Sequence, residues 1–276
     1  MYIKTFNRIS IINQKYSITV KAVLRGVVDM FTATIEANAF RNVLETVGVL
    51  VDECRVRVDS DGMRFCAADP AMVALVDLTL SPERFERYEA SETVLGVNIE
   101  RLSEILSVAE RGDHVRMELD PSSRKLHVDV GTLSYTLGLL DPESIRDEPD
   151  LPDLEPPAEV ALEGYHIDRG VKAAEMVSDH LRLAVNEERE TFSIEAEGDT
   201  DDVSVDLARD EVTELVPGPA DSLYSLDYLT KINRVIPNDG TVTLELGEEF
   251  LAGLAFEVPE VGQPVSYRIA PRIQRA

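Results

Sequence analysis

The stretch IERLSEILSVAERGDHVRMEL at residues 99–119 returns 127 residues later as LDYLTKINRVIPNDGTVTLEL at residues 226–246. Under this shift Leu102 aligns with Leu229, and the other apolar positions follow the same pattern. Both copies open with apolar residues at helical spacing and end in a strict apolar alternation, so each predicts an amphipathic helix followed by a half-buried strand. The match lies in hydrophobic pattern and hardly in identity, which is typical of duplicated units that share a core.

The same shift extends upstream and defines two related units. It places Phe65 on Phe192 and the strand pattern at 76–80 on that at 203–207. Each unit reads as a strand, a helix, several strands, a second helix and several further strands. We therefore predict an α+β fold with two pattern-related domains, each carrying antiparallel sheets and two helices.

Composition marks the boundary between the units. We predict a first domain at 30–140, a connector at 141–157 and a second domain at 158–276. The connector, DPESIRDEPDLPDLEPP, holds five prolines and seven acidic residues, so it is too polar and too stiff to enter a core. In the first domain we expect Asn38 to be the N-cap of the first helix, because it precedes the apolar run.

Residues 1–29 differ in composition from everything after them. They hold five basic residues and one acidic residue, whereas the remaining 247 residues hold 22 basic and 51 acidic ones, a net charge of −29. We predict that this extension lies outside the folded domains and that Met30 is the working start. A transit peptide, which is also basic and poor in acids, is the alternative.

The overall net charge of −25 is the unusual property of the chain. An acidic surface argues against nucleic-acid binding, because phosphate contacts dominate that binding. Excess carboxylate, with only six lysines against 21 arginines, is also typical of proteins from salt-loving organisms. Molar salt shortens the Debye length to about 3 Å and screens the self-repulsion. We interpret the charge as an adaptation to the solvent.

Motifs for catalysis or metal binding are missing from the sequence. The four histidines lack metal-ligand spacing, and there is no phosphate loop, nucleophile elbow or dinucleotide fingerprint. Cys54 and Cys66 are too few for a disulfide framework, and no apolar run approaches the roughly 20 residues of a membrane-spanning helix. We predict a cytoplasmic protein that is not an enzyme and that uses no metal, cofactor or membrane.

Three strings, in the right order, resemble a known family. DPAMVALVDLTL at 69–80, GVNIERLSEIL at 96–106 and IAPRI at 269–273 are similar to segments of the archaeal and eukaryotic sliding clamps, the proliferating-cell-nuclear-antigen family. With the duplication and the connector, the resemblance covers residues 30–276. It implies a prokaryotic, archaeal-type homotrimeric ring that encircles double-stranded DNA. It also implies tethering of DNA polymerase, clamp loader, flap endonuclease and ligase through short hydrophobic and aromatic peptides.

The resemblance also implies an arrangement and two sets of site residues. Helices would line the ring, and the strand at 132–140 would pair with the strand at 202–208 of the next subunit. The DNA-facing residues would be the basic ones on or beside the helices: Arg41, Arg101, Arg111, Arg169, Lys172, Lys231 and Arg234. The partner-peptide pocket would comprise Met72, Val73, Leu75, Leu151, Leu154, Leu251, Ala270 and Pro271. Glu104 and Ser107 stand where the family usually carries lysines, which implies weak direct contact with DNA.

Other functions compete with the clamp. An acidic DNA mimic or regulatory protein, which binds DNA-handling proteins and never encircles DNA, would account for the charge. A DNA-processing enzyme is a third class, against which the missing catalytic cluster argues. The interpretation as a clamp leaves open whether the chain is one member of a heterotrimer.

Overall fold

The structure, a computed structural model, describes residues 30–148 and 155–272. Two units follow one another with the same order of elements: a strand, a helix, five strands, a helix and three strands. The strands of the first unit are β1 (Phe31–Glu36), β2 (Glu53–Asp59), β3 (Gly62–Ala68), β4 (Ala74–Leu80), β5 (Arg87–Ala90), β6 (Thr93–Asn98), β7 (His114–Asp120), β8 (Lys125–Val130) and β9 (Leu133–Gly138). Its helices are α1 (Ala37–Gly48) and α2 (Ile99–Leu106).

The second unit repeats this layout after the connector. Its strands are β10 (Ala158–Glu163), β11 (His180–Asn186), β12 (Thr191–Glu197), β13 (Asp202–Ala208), β14 (Glu214–Val216), β15 (Ala220–Ser225), β16 (Thr241–Leu246), β17 (Ala252–Val258) and β18 (Gln263–Ile269). Its helices are α3 (Gly164–Ala174) and α4 (Leu226–Asn233). The predicted α+β class with antiparallel sheets is therefore confirmed. Within the described residues, no helix is long and apolar enough to cross a membrane.

Three antiparallel sheets organise the strands. One has the order β5-β1-β7-β8-β9, and another has the order β13-β12-β11-β15. The largest has the order β14-β10-β16-β17-β18-β4-β3-β2-β6 and runs through both units. The units join where β18 pairs with β4, with Val265 opposite Leu78 and Tyr267 opposite Val76. We call this pairing the internal junction.

The helix starts follow from local capping. The carboxylate of Glu36 accepts a hydrogen bond from the Ala39 amide at 2.7 Å and caps α1. The prediction that Asn38 caps this helix is therefore wrong: Asn38 lies in the first turn, where its side-chain oxygen binds the Arg41 guanidinium at 2.8 Å. Asn98 does cap α2, accepting from an amide of the first turn.

One correspondence between the units also needs correction. Val56 lies opposite Phe65, whereas Leu183, its counterpart under the 127-residue shift, lies opposite Ile194. The hairpin between β11 and β12 is two residues longer than the one between β2 and β3, which displaces the partner by two positions. Ile194, and not Phe192, is therefore the structural counterpart of Phe65.

Candidate functional site

The helices pack in two pairs over a continuous apolar core. α1 lies beside α2, and α3 lies beside α4. Each helix buries one apolar stripe; Leu102 and Ile105 of α2 and Leu229 and Ile232 of α4 are all buried. The polar stripes of the helices remain exposed or half-buried, and they carry five of the seven basic residues that were predicted to face DNA.

Arg41 is engaged inside the helix pair. Its guanidinium donates to the carbonyl oxygens of Leu106 at 2.8 Å and Ala109 at 3.3 Å, and also to the Asn38 side chain. These carbonyls lie at the last residue of α2 and just beyond it, where backbone acceptors lack intrahelical partners and the helix dipole favours a cation. Arg41 therefore ties α1 to α2, which leaves it few donors for a phosphate.

Three other predicted cations are paired with an acidic residue on their own helix. The two lysine pairs have N–O distances of 2.7 and 2.8 Å. Exposed pairs add little stability, but each carboxylate offsets the charge that its partner offers to a phosphate. The pairs are Lys172 with Asp168, Lys231 with Asp227, and Arg101 with Glu104.

The remaining three predicted cations are more available. Arg111 lies in the turn after α2, Arg169 lies in α3, and Arg234 is the C-cap of α4. All three side chains are exposed, and none has a carboxylate within 4.0 Å among the described residues. An arginine without an acidic partner presents its full charge and donor fork to an oxyanion.

The predicted peptide pocket comes together where the two units meet. The Ala270 amide donates to the Val73 carbonyl at 2.8 Å, and Leu251 directly precedes β17, which pairs with β18. Met72 beside them is 51% exposed, with a left-handed φ of 59°. Pro271 follows Ala270 and is half-buried.

The other three predicted pocket residues differ from this group. Leu75 is only 4% exposed, so its side chain is packed within the folded chain and offers little surface to a ligand. Leu151 and Leu154 lie outside the described residues. Their contribution to the pocket stays a prediction.

Asp69 organises the turn that carries Met72, a role that sequence reasoning missed. Its carboxylate accepts hydrogen bonds from the backbone amides of Ala71, Val73 and Ala74 at 2.7 to 2.8 Å. An aspartate that binds amides two or more residues ahead is a known turn-forming signal, so the sequence DPAM contained a clue. The contact that this carboxylate makes with the other unit was not visible in the sequence.

A bond across the internal junction completes the Asp69 site. The Tyr228 hydroxyl, from α4, donates to Asp69 Oδ2 at 2.8 Å. Burial alone would raise the pKa of Asp69, but the backbone amides and this hydroxyl outweigh burial and lower it. Burial and the adjacent carboxylate raise the pKa of Tyr228 to about 12, so the hydroxyl keeps its proton. The Lys231 ammonium lies 5.4 Å from the Tyr228 ring centre.

Two of the strands at sheet ends, β9 and β13, pair on one side only and have no partner on the other side within the described residues. β9 ends the five-stranded sheet, and β13 ends the four-stranded one. Both expose apolar side chains on their edges: Leu133 is 36% exposed, and Val203 and Val205 are half-buried. Unpaired edges with apolar side chains are templates for pairing with another chain.

These features define a class of protein. Two like units, a sheet continuous across them, and in each unit an edge strand that is free on one side describe a subunit whose edges can join further subunits. Within the described ranges, no group of three or more His, Cys, Asp or Glu side chains is arranged to hold a metal ion.

Comparison with known proteins agrees with this class. The family described as proliferating cell nuclear antigen, N-terminal domain, matches residues 30–130. A DNA polymerase sliding clamp of Natronomonas pharaonis is 50% identical over 245 residues, which cover 89% of this chain and 99% of the relative. That of Haloarcula marismortui is 49% identical over the same shares of the two chains. The chain belongs to the DNA polymerase sliding clamp family.

Solved structures show the same fold. The A. fulgidus PCNA, in a complex with the C-terminal region of FEN-1, has a TM-score of 0.83 and 30% identity, covering 90% of this chain and all of that one. PCNA from Thermococcus kodakaraensis has a TM-score of 0.79 and 26% identity, covering 88% of this chain and all of that one. The predicted membership of the family is confirmed, and its haloarchaeal relatives fit the acidic composition.

Proposed function

We propose that this chain is a non-enzymatic platform that assembles into a homotrimeric ring around duplex DNA and tethers replication and repair enzymes. The proposal rests on the positions of the edge strands β9 and β13 within their units. β9 and β13 occupy the same places in their units as β18 and β4, which are already paired at the internal junction. A second copy can therefore repeat the internal junction between subunits, head to tail, and such a contact closes into a ring when its rotation allows.

The duplication also predicts the register of the subunit contact. One row of facing residues crosses the last three strands of each unit: Met117, Val128 and Tyr135 in the first, and Leu244, Leu254 and Tyr267 in the second. Tyr135 is therefore the counterpart of Tyr267, which lies opposite Val76. Since Val203 is the counterpart of Val76, we expect Tyr135 opposite Val203 of the next subunit. Leu133 then lies opposite Val205.

The internal junction indicates what Tyr135 does in the ring. Tyr267 is fully buried, and its hydroxyl donates to the Thr46 carbonyl of α1 at 2.7 Å. Ala173 of α3 is the counterpart of Thr46. We therefore expect the Tyr135 hydroxyl to donate to the Ala173 carbonyl of the neighbouring subunit, which joins a strand of one subunit to a helix of the next.

Direct contacts with DNA are expected to be few. Arg111, Arg169 and Arg234 are the cations best placed to contact phosphates, because the other predicted cations are held by acceptors within the chain. Weak contact suits a protein that is retained by enclosure, since the ring must slide along the duplex. Non-specific phosphate contacts also lose affinity as salt rises.

The pocket around Met72, Val73, Leu251, Ala270 and Pro271 is proposed to bind partner peptides. The A. fulgidus relative was solved with the C-terminal region of FEN-1, which supports a flap endonuclease as one partner. We extend the proposal to DNA polymerase, clamp loader and ligase, each through a short hydrophobic and aromatic segment in a helix-in-groove contact. We place these events in the cytoplasm of an archaeal-type cell.

Retention on circular DNA tests enclosure. The full chain, loaded on a nicked circle by an archaeal clamp loader with ATP, is expected to co-elute with the circle and to be released when the circle is cut once. Equal retention on circular and linear DNA would contradict enclosure. Binding of clamp-associated enzymes without retention on the circle would favour the acidic DNA mimic.

A further inference from the structure

Arg101 points toward the free edge of the molecule. Its Nη2 donates to the Tyr135 hydroxyl at 2.7 Å, and its guanidinium carbon lies 5.5 Å from the Tyr135 ring centre. Tyr135 belongs to the edge strand β9. Arg101 belongs to α2, whose basic residues were predicted to face DNA. Its guanidinium is nevertheless held at the edge where the next subunit is expected.

The internal junction contains the counterpart of Arg101. α2 and α4 align over their whole lengths under the 127-residue shift, which places Arg101 on Tyr228. Tyr228 crosses the internal junction and donates to Asp69, in the turn between β3 and β4. The residue at this helical position therefore already makes a contact across one boundary between units.

The counterpart of the Asp69 turn is strongly acidic. It connects β12 to β13 with the sequence EGDTDD at 197–202, in which four of six residues are carboxylates. These four residues, Glu197, Asp199, Asp201 and Asp202, are exposed, and none forms an ion pair among the described residues. We call this segment the acidic turn.

We propose that Arg101 binds the acidic turn of the neighbouring subunit, as Tyr228 binds the Asp69 turn inside each subunit. The inference rests on the proposed ring and adds one specific contact to it. An arginine fork opposite unpaired carboxylates is complementary in charge and geometry, and such pairs set the register and rate of association. Arg101 is then a subunit-contact residue rather than a DNA-contact residue.

The contacts of Tyr135 are compatible with this role. A tyrosine hydroxyl has one proton to donate and lone pairs that accept. Tyr135 can therefore accept from Arg101, as it does in the single chain, while it donates to Ala173 of the next subunit. Glu104, which pairs with Arg101 in the single chain, would compete with the acidic turn for the guanidinium.

The test measures assembly of the full chain without DNA. Light scattering over a dilution series, at one fixed molar salt concentration, gives the concentration at which the trimer half dissociates. Arg101→Glu is expected to raise this concentration at least tenfold. The matched control is Arg111→Glu, the same charge change at an exposed arginine just beyond the same helix, and it is expected to leave the midpoint within twofold of the unchanged chain.

A charge exchange separates a specific contact from general repulsion. Asp199→Arg and Asp201→Arg, each added to Arg101→Glu, restore an opposite-charge pair across the boundary, and at least one is expected to recover most of the lost assembly. The proposal is overturned if Arg101→Glu assembles no worse than Arg111→Glu, or if neither exchange recovers assembly. Failure of the unchanged chain to assemble at any salt would instead overturn the proposed ring itself.

Discussion

At the scale of single residues, Asp69 and Tyr228 connect the pocket to the helices. The two residues are 159 positions apart, and they meet only because β18 pairs with β4. Sequence patterns could place Val73 and Ala270 by resemblance, since each lies in a recognisable string. They could not reveal the bond between Asp69 and Tyr228, because these residues become adjacent only after the two units join.

Removing the Tyr228 hydroxyl tests this connection. Tyr228→Phe deletes one hydrogen bond to a buried carboxylate, so we expect a loss of about 1.5–3 kcal/mol in the free energy of unfolding at neutral pH. Urea unfolding measures the loss, and Tyr165→Phe, at an exposed tyrosine of α3, is the matched control. An equal and small loss in both variants would contradict the role of the bond.

The stability that this hydrogen bond contributes depends on pH, and the direction of the change can be predicted. Asp69 has a lowered pKa in the folded chain, so its contribution is complete above the pKa of an unfolded aspartate, about 3.9, and disappears as pH falls through the folded value. The difference in stability between Tyr228→Phe and the unchanged chain should therefore shrink on acidification below about pH 4.

At the scale of elements, most of the helices and strands were predicted from the spacing of apolar residues. Apolar residues at spacing 3 to 4 or 2 are local signals, so α2 and the alternating strands β2 and β7 could be predicted directly from the sequence. Turn lengths carry no such period. The extra residues in the hairpin before β12 were therefore not predicted, and Phe192 was aligned with the wrong counterpart in the first unit.

The edge strand β9 makes a prediction at this scale. Tyr135→Arg would place a charge opposite Val203 of the next subunit and remove the expected bond to Ala173, so we expect the trimer to dissociate into folded monomers. Size-exclusion chromatography with light scattering measures the mass, and circular dichroism checks the fold. Thr136→Arg is the matched control, because Thr136 points to the other face of the same strand and is exposed. An unchanged trimer mass for Tyr135→Arg would rule out the proposed register.

At the scale of the whole molecule, charge and assembly act against each other. Bringing together subunits that each carry −25 is opposed by repulsion, which reaches about 10 Å at 0.1 M salt and about 3 Å at 1 M. The apolar pairs Leu133 with Val205 and Tyr135 with Val203 favour assembly at any salt, and burial of apolar surface is strengthened by excluded salts. The ring is therefore expected to be most stable in concentrated salt.

The mass of the full chain in solution, measured by light scattering from roughly 0.1 to 3 M salt, tests the ring most directly. We expect a mass of about three times the 30.6 kDa chain mass at high salt, with dissociation on dilution into low salt. A mass of one chain at every salt concentration would contradict the homotrimeric ring and would leave a heteromeric clamp or an acidic DNA mimic in its place.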